Sequence, residues 1–236
     1  MKTALSFGGG VQTTAILVLM AGGEIPKPDY IIFADTGYEW PETYDYIERY
    51  MKPLADSIKI PFETVKNKRD MYNYYWEHQG IPYIAFRNCT DVFKIRPIKQ
   101  IYKRLEITTE VIGFSFEEQG RAFKKKRLYK NINSLFPLID LRFTRHDCIQ
   151  EIERFGLSSP LKSSCIFCPF QHPNRIARLS KIHPDLFEKV AQLEDRALER
   201  SPGYYISRKP WRQMAVPQAD MFEDWDYGCG DGYCMR

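Results

Sequence analysis

A strand-like run, Thr3-Ala4-Leu5-Ser6-Phe7, meets three glycines, Gly8-Gly9-Gly10, and resumes as Thr13-Thr14-Ala15-Ile16-Leu17-Val18-Leu19-Met20. Few folds accommodate that order. The first run has the length and apolarity of a buried strand, the second those of a buried helix ending near Gly22-Gly23. Glycines let backbone N–H groups approach an anion with no Cβ in the way. A helix N-terminus adds unpaired donors and the positive end of the macrodipole. Thr13 and Thr14 place two hydroxyls in its first turn. A tight strand-to-helix turn that holds no ligand satisfies the same pattern.

The next segments repeat the alternation. Tyr30-Ile31-Ile32-Phe33-Ala34 is a second strand, stopped by Asp35-Thr36-Gly37. Pro41 opens a helical pattern through Tyr50, and residues 60–65 form a third strand. The order β-α-β-α-β implies an α/β fold: a mostly parallel, twisted sheet with helices on both faces. Ligands of such sheets bind at the carboxyl ends of the strands, where both glycine-containing turns fall. Farther on, residues 94–105 read as a helix, 110–114 as a strand and 136–140 as an apolar connection. Thr144 caps a helix with Asp147 as the capping-box acid, and residues 174–199 are charged and helical. The 236 residues divide into a nucleotide-binding α/β domain, 1–145, and a region, 146–236, comprising a cysteine knuckle, a helical extension and a Cys-containing tail packed on it.

No stretch approaches the roughly 20 apolar residues of a membrane helix. The first residues lack the apolar run of a signal peptide, so a cytoplasmic location with no membrane contact is expected. The net charge of +4 is short of a dedicated nucleic-acid binder. It is unevenly spread: Lys94, Arg96, Lys99, Lys103 and Arg104 form one basic run, and Lys124, Lys125, Lys126, Arg127 and Lys130 another. These are either solvated helix faces or an anion-binding rim for a polyphosphate or nucleic acid. In a cytoplasmic setting the six cysteines point to metal or redox chemistry rather than disulfides. Cys165 and Cys168 make a C-x-x-C knuckle able to chelate one metal or cluster.

Three segments carry a family resemblance. Gly8-Gly9-Gly10-Val11-Gln12-Thr13 resembles the PP-loop of ATPases that cleave ATP between the α and β phosphates, with Gly8 where Ser and Gln12 where Asp often stand. Asp35-Thr36-Gly37 with Pro41-Glu42-Thr43-Tyr44 resembles the corresponding stretch of PAPS reductases. Gly113-Phe114-Ser115-Phe116-Glu117-Glu118-Gln119-Gly120-Arg121 is similar to a third element of the same superfamily. The resemblance covers about residues 3–170. It implies an adenine-nucleotide α-hydrolase-like fold that binds ATP with Mg2+. The nucleotide-binding residues it implies are Ser6, Gly8, Gly9, Gly10, Gln12, Thr13, Thr14, Asp35, Thr36, Gly37 and Gly113, with the backbone of Ile32, Phe33 and Ala34 reading the adenine edge. Arg121 would act catalytically on the phosphate or sulfate end, a role its planar fork suits.

The segment around Cys89 is similar to one in cluster-bearing adenylylsulfate reductases, where cysteines there pair with a later C-x-x-C. The resemblance implies Cys89, Cys148, Cys165 and Cys168 around one 4Fe-4S cluster, with Zn2+ on the same thiolates as the alternative. Cys229 and Cys234 are candidate catalytic thiols in a tail that either reaches the nucleotide site as a redox pair or forms a metal half-site shared in a homo-oligomer.

The function expected is adenylation of a substrate by ATP followed by sulfur transfer, to a nucleic acid or a small molecule, with a sulfur-donor protein as a further partner. A reductase of PAPS or adenylylsulfate and a non-catalytic nucleotide-binding regulator are the alternatives.

Overall fold

The structure, a computed structural model, describes residues 1–85, 88–122 and 132–215. The N-terminal apolar run forms β1 (Lys2–Phe7), and the glycine turn feeds α1 (Val11–Gly22). β2 (Tyr30–Asp35) follows, then α2 (Pro41–Tyr46), a π-helical turn (Ile47–Met51) and α3 (Lys52–Ser57). β3 (Phe62–Lys66) and α4 (Met71–Glu77) lead to the helical turn α5 (Asn88–Thr90), a second π turn (Asp91–Ile95) and α6 (Arg96–Leu105). Each π turn immediately precedes an X-Pro pair, Lys52-Pro53 and Arg96-Pro97. Proline has no N–H for the i−4 carbonyl, and the residue before it bonds five back instead: Lys52 N–H to Ile47 O and Arg96 N–H to Asp91 O.

β4 (Ile107–Ile112), β5 (Asn133–Leu135), α7 (Pro137–Asp140) and α8 (Arg145–Arg154) complete the sheet layer. The strand order is β3-β2-β1-β4-β5, all parallel. Alternation along the strands sorts the two faces. Leu5, Phe7, Ile31, Phe33 and Val111 pack under α1, the α2–α3 run and α8. Ala4, Ile32 and Ile107 pack under Ile101 and Tyr102 of α6. The chain leaves β1 toward β2 and returns after β3 to lay β4 on the other side, so the switch point lies between β1 and β4.

Beyond the sheet, α9 (Pro173–Ile182), α10 (Pro184–Arg200) and α11 (Trp211–Met214) form a helical layer. The helix expected over 174–199 is broken at His183-Pro184, where proline ends one helix and starts another. This layer shares a second core with the first part of the chain: Trp40, Met71, Tyr75 and Phe93 pack against Phe167, Leu179, Val190 and Trp211. The division expected at 145/146 is therefore not where the cores separate. α8, assigned to the extension, buries Cys148, Ile149 and Ile152 in the sheet core. No helix among the described residues is long and apolar enough to cross a membrane.

Candidate nucleotide and cysteine site

The glycine turn sits at the carboxyl end of the central strand. Gly8 is exposed, and a Cβ there would meet nothing within 4 Å. Gly9 has φ +70°, and a side chain on it would strike Thr43 Cγ2 at 2.9 Å. α1 begins at Gly10 with no side-chain cap and no acid in its first turn. Its first N–H groups are left for an anion.

The two hydroxyls of the first turn differ in their surroundings. Thr13 Oγ1 accepts from Gly8 N–H at 3.3 Å and donates to Gly10 O at 3.1 Å, bracing the turn. Thr14 is fully buried, with Oγ1 meeting no hydrogen-bond partner among the described residues. Gln12 bridges Glu118 and Arg145, donating to Glu118 Oε2 and accepting from Arg145 Nη1, each at 3.3 Å. Arg121 pairs with Glu118 and lies over the Phe114 ring, 4.4 Å from its centroid. Ser115 and Glu118 form a capping box that fixes this turn. Gly113 presses against α1: a Cβ there would lie 2.8 Å from Thr13 Cγ2. The turns after β1 and β4 thus share one edge, as their resemblance to a nucleotide site implies. Arg145, absent from the sequence expectations, joins them.

Ser6 stands mid-ladder between Ile32 and Ile112. Ile32 and Phe33 are paired on both sides, while the ladder to β1 stops at Phe7↔Phe33, so β2 runs on past it at Ala34. Asp35 is turned inward and saturated. Its carboxylate accepts from Gly37 N–H (2.7 Å) and Tyr44 Oη (2.6 Å) and pairs with Lys66 (2.6 Å). Its part is to shape the Asp35-Thr36-Gly37 turn.

That turn leads to the cysteines through Glu39, which sequence reasoning missed. Glu39 is buried, accepts from Thr36 Oγ1 at 3.1 Å, pairs with Lys94 at 3.0 Å and makes a β-bridge to Cys165. Cys89, Cys165 and Cys168 are half-buried; the charges of Cys168 and Cys89 act on Cys165, and that of Cys89 acts on Cys168. Burial, then the neighbouring Cys168 and Glu39, holds the Cys165 thiol well above its ordinary value, against the opposing pull of Lys94. Burial likewise raises Cys168, opposed by the Phe170 N–H. Burial would lower the Lys94 ammonium, but Glu39, Cys165 and Cys168 outweigh it and raise it. Tyr75 Oη donates to Asn88 Oδ1 at 2.7 Å and lies in reach of Cys89.

The expected set of four cysteines does not assemble. Cys148 is fully buried in the sheet core beneath α1, on the inner face of α8, because its place in that helix shares a stripe with Ile149 and Ile152. Cys229 and Cys234, and the basic run 124–130, lie outside the described residues. In the other basic run Lys94, Arg96 and Arg104 pair with Glu39, Asp91 and Glu63. Among the described residues, no three His, Cys, Asp or Glu side chains are gathered as a single ion requires. The thiols that could hold a larger group are Cys89, Cys165 and Cys168, with Lys94 beside Cys165 and Cys168.

The sequence profile of the phosphoadenosine phosphosulfate reductase domain matches residues 2–146. The chain belongs to that family. It is 27% identical over 228 residues to an uncharacterised protein of Methanocaldococcus jannaschii, covering 90% of this chain and 52% of the relative. It is 27% identical over 163 residues to the phosphoadenosine 5'-phosphosulfate reductase of Enterobacter sp. strain 638 (65% and 62%). The chain thus spans between half and two thirds of the length of these relatives. Two solved structures share its fold, each at TM-score 0.50. One is a PAPS reductase from Candida auris in a phosphate complex, with 16% identity over 68% of this chain and 75% of the other. The second is the U34-tRNA thiolase NcsA from Methanococcus maripaludis with its 4Fe-4S cluster, with 17% identity over 86% and 73%.

Proposed function

We propose that this chain is an ATP-dependent sulfurtransferase that adenylates an oxygen of its substrate and replaces that oxygen with sulfur. The carrying observation is Glu39, which ties the nucleotide turn after β2 to the cysteine group by a backbone bridge and through Lys94. A nucleotide held at Gly8–Gly10 and a group held by Cys89, Cys165 and Cys168 would then act on one substrate.

In the first step a substrate oxygen attacks the α-phosphorus, the α–β bridge breaks and pyrophosphate leaves. The α1 N-terminus, Arg121 and Arg145 neutralise the charge that develops, and Mg2+ enters with the nucleotide. In the second a sulfur nucleophile displaces AMP, which departs with the substrate oxygen. A 4Fe-4S cluster on the three thiolates, when bound, would supply iron to hold that sulfur. The same donors serve Zn2+ less well, since tetrahedral Zn–S bonds of about 2.3 Å demand tight convergence. The thiolase neighbour with its cluster supports nucleic acid as the acceptor class.

Reductive cleavage of PAPS is the second reading, favoured by the family match and by the reductase relatives. Incubation with ATP and an RNA acceptor and, separately, with PAPS and a dithiol reductant separates the two. Pyrophosphate from ATP is expected; sulfite from PAPS with no pyrophosphate would replace this reading by the reductase.

A further inference from the structure

Residues 157–164 carry no regular structure, yet they are tied down along their length. Tyr46 Oη donates to Ser158 O at 2.8 Å, Arg175 Nη1 to Lys162 O at 2.6 Å, and Trp40 N–H to Ser164 O at 3.3 Å. Arg175 is itself fixed over the Trp40 ring at 4.6 Å. This strap lies against the glycine turn. Ser163 Oγ is 2.8 Å from where a Cβ on Gly10 would sit, and Ser163 Cβ is 3.8 Å from that of Gly9. Glycine at position 10 is what lets the strap come so close. Lys162 precedes Ser163, and its ammonium is felt by Cys168 and by His172. It has no carboxylate partner among the described residues. A half-buried ammonium one residue from Ser163, which packs on the glycine turn, and within charge reach of Cys168 is placed to meet an anion held there.

We propose that Lys162 closes the phosphate site from the strap side, taking a phosphate oxygen of the nucleotide held at Gly8–Gly10 on the side that faces Cys168. This rests on the nucleotide reading above. Lysine suits the task as a compact point charge on a stem that moves with its ligand. The strap would then carry both the wall of the nucleotide site and, three residues later, the first knuckle cysteine.

The test is calorimetry with ATP and with adenosine on wild-type protein, Lys162→Ala and Lys162→Arg, purified anaerobically. ATP affinity is expected to fall about tenfold or more in Lys162→Ala, the loss of one charge-assisted hydrogen bond. Adenosine affinity and metal content should match wild type, and Lys162→Arg should recover most of the ATP binding. Unchanged ATP affinity in Lys162→Ala, or an equal loss for ATP and adenosine, overturns the assignment of Lys162 while leaving the nucleotide reading in place. Wild-type protein that binds no adenylate overturns both.

Discussion

Gly8 and Gly113 look alike in the sequence and differ in what surrounds them. A side chain on Gly113 would meet Thr13 Cγ2 at 2.8 Å and Thr13 N at 3.1 Å, so α1 must move. Gly113→Ala is expected to cost about 1–3 kcal/mol in chemical denaturation, the usual range for overpacking, and to weaken ATP binding with it. Gly8→Ser, which meets nothing, should leave stability within about 0.5 kcal/mol of wild type. A Gly8→Ser loss as large as that of Gly113→Ala would contradict the open side of the turn. Legibility followed the same line. Backbone positions such as the glycine turn and Asp35-Thr36-Gly37 were readable, because glycine and turn residues announce their geometry. Side chains recruited by the fold were not: Glu39, Arg145 and Ser163 are ordinary residues until the fold brings them to the site. Cys148 shows the converse. Its residue type suggested a ligand, but burial pushes its thiol up to about 12. At pH 8 it should resist alkylation in the native protein and react once unfolded, as mass spectrometry of labelled peptides would report.

At the scale of elements, the helical layer depends on one carboxylate. Glu194 of α10 is buried and accepts from Ile206 N–H at 2.9 Å and Trp211 N–H at 2.7 Å, pinning the loop that brings Trp211 into the core. Burial raises its pKa; the two backbone donors oppose that without cancelling it. The folded state therefore binds the proton more tightly than the unfolded one. Stability contributed by Glu194 is full below its ordinary value of about 4.5 and falls as pH rises through the folded value. Urea unfolding of wild type against Glu194→Gln should show the wild-type advantage shrinking over that window, because the amide does not titrate. A wild-type advantage that grows with pH would reverse the sign and refute the account. Glu194→Ala leaves both N–H groups buried and unpaired and should cost about 1–3 kcal/mol for each group left bare. The sequence showed this layer as a charged helix over 174–199, but neither the break at Pro184 nor β5. Three residues of β5 are too few for a period-2 pattern, whereas the long apolar runs of β1, α1 and β2 mark themselves.

Among the described residues, the sheet core beneath α1 and the core of the helical layer meet along a seam, and the seam is where the chemistry is proposed. The sheet core holds α1, α8 and Cys148; the second core holds Trp40, Phe93 and Phe167, with Cys89 and Cys165 packed at its margin. The 36–41 segment crosses between them, and Glu39 and Trp40 bond to the strand end on one side and to the 164–165 backbone on the other. A cluster at that seam would cross-link the cores, adding stability by binding only the folded state. The two-core arrangement also decides which cysteines matter. Iron and labile sulfide of anaerobically purified protein should survive Cys148→Ala, whose cost is a small cavity of about 1 kcal/mol in the sheet core. They should be lost from Cys89→Ala, Cys165→Ala and Cys168→Ala, and each of these should lower the melting temperature of the holoprotein toward that of the chelator-treated wild type. Iron lost only with Cys148→Ala, or stoichiometric zinc in place of iron, would move the metal away from the seam and remove the cluster from the mechanism.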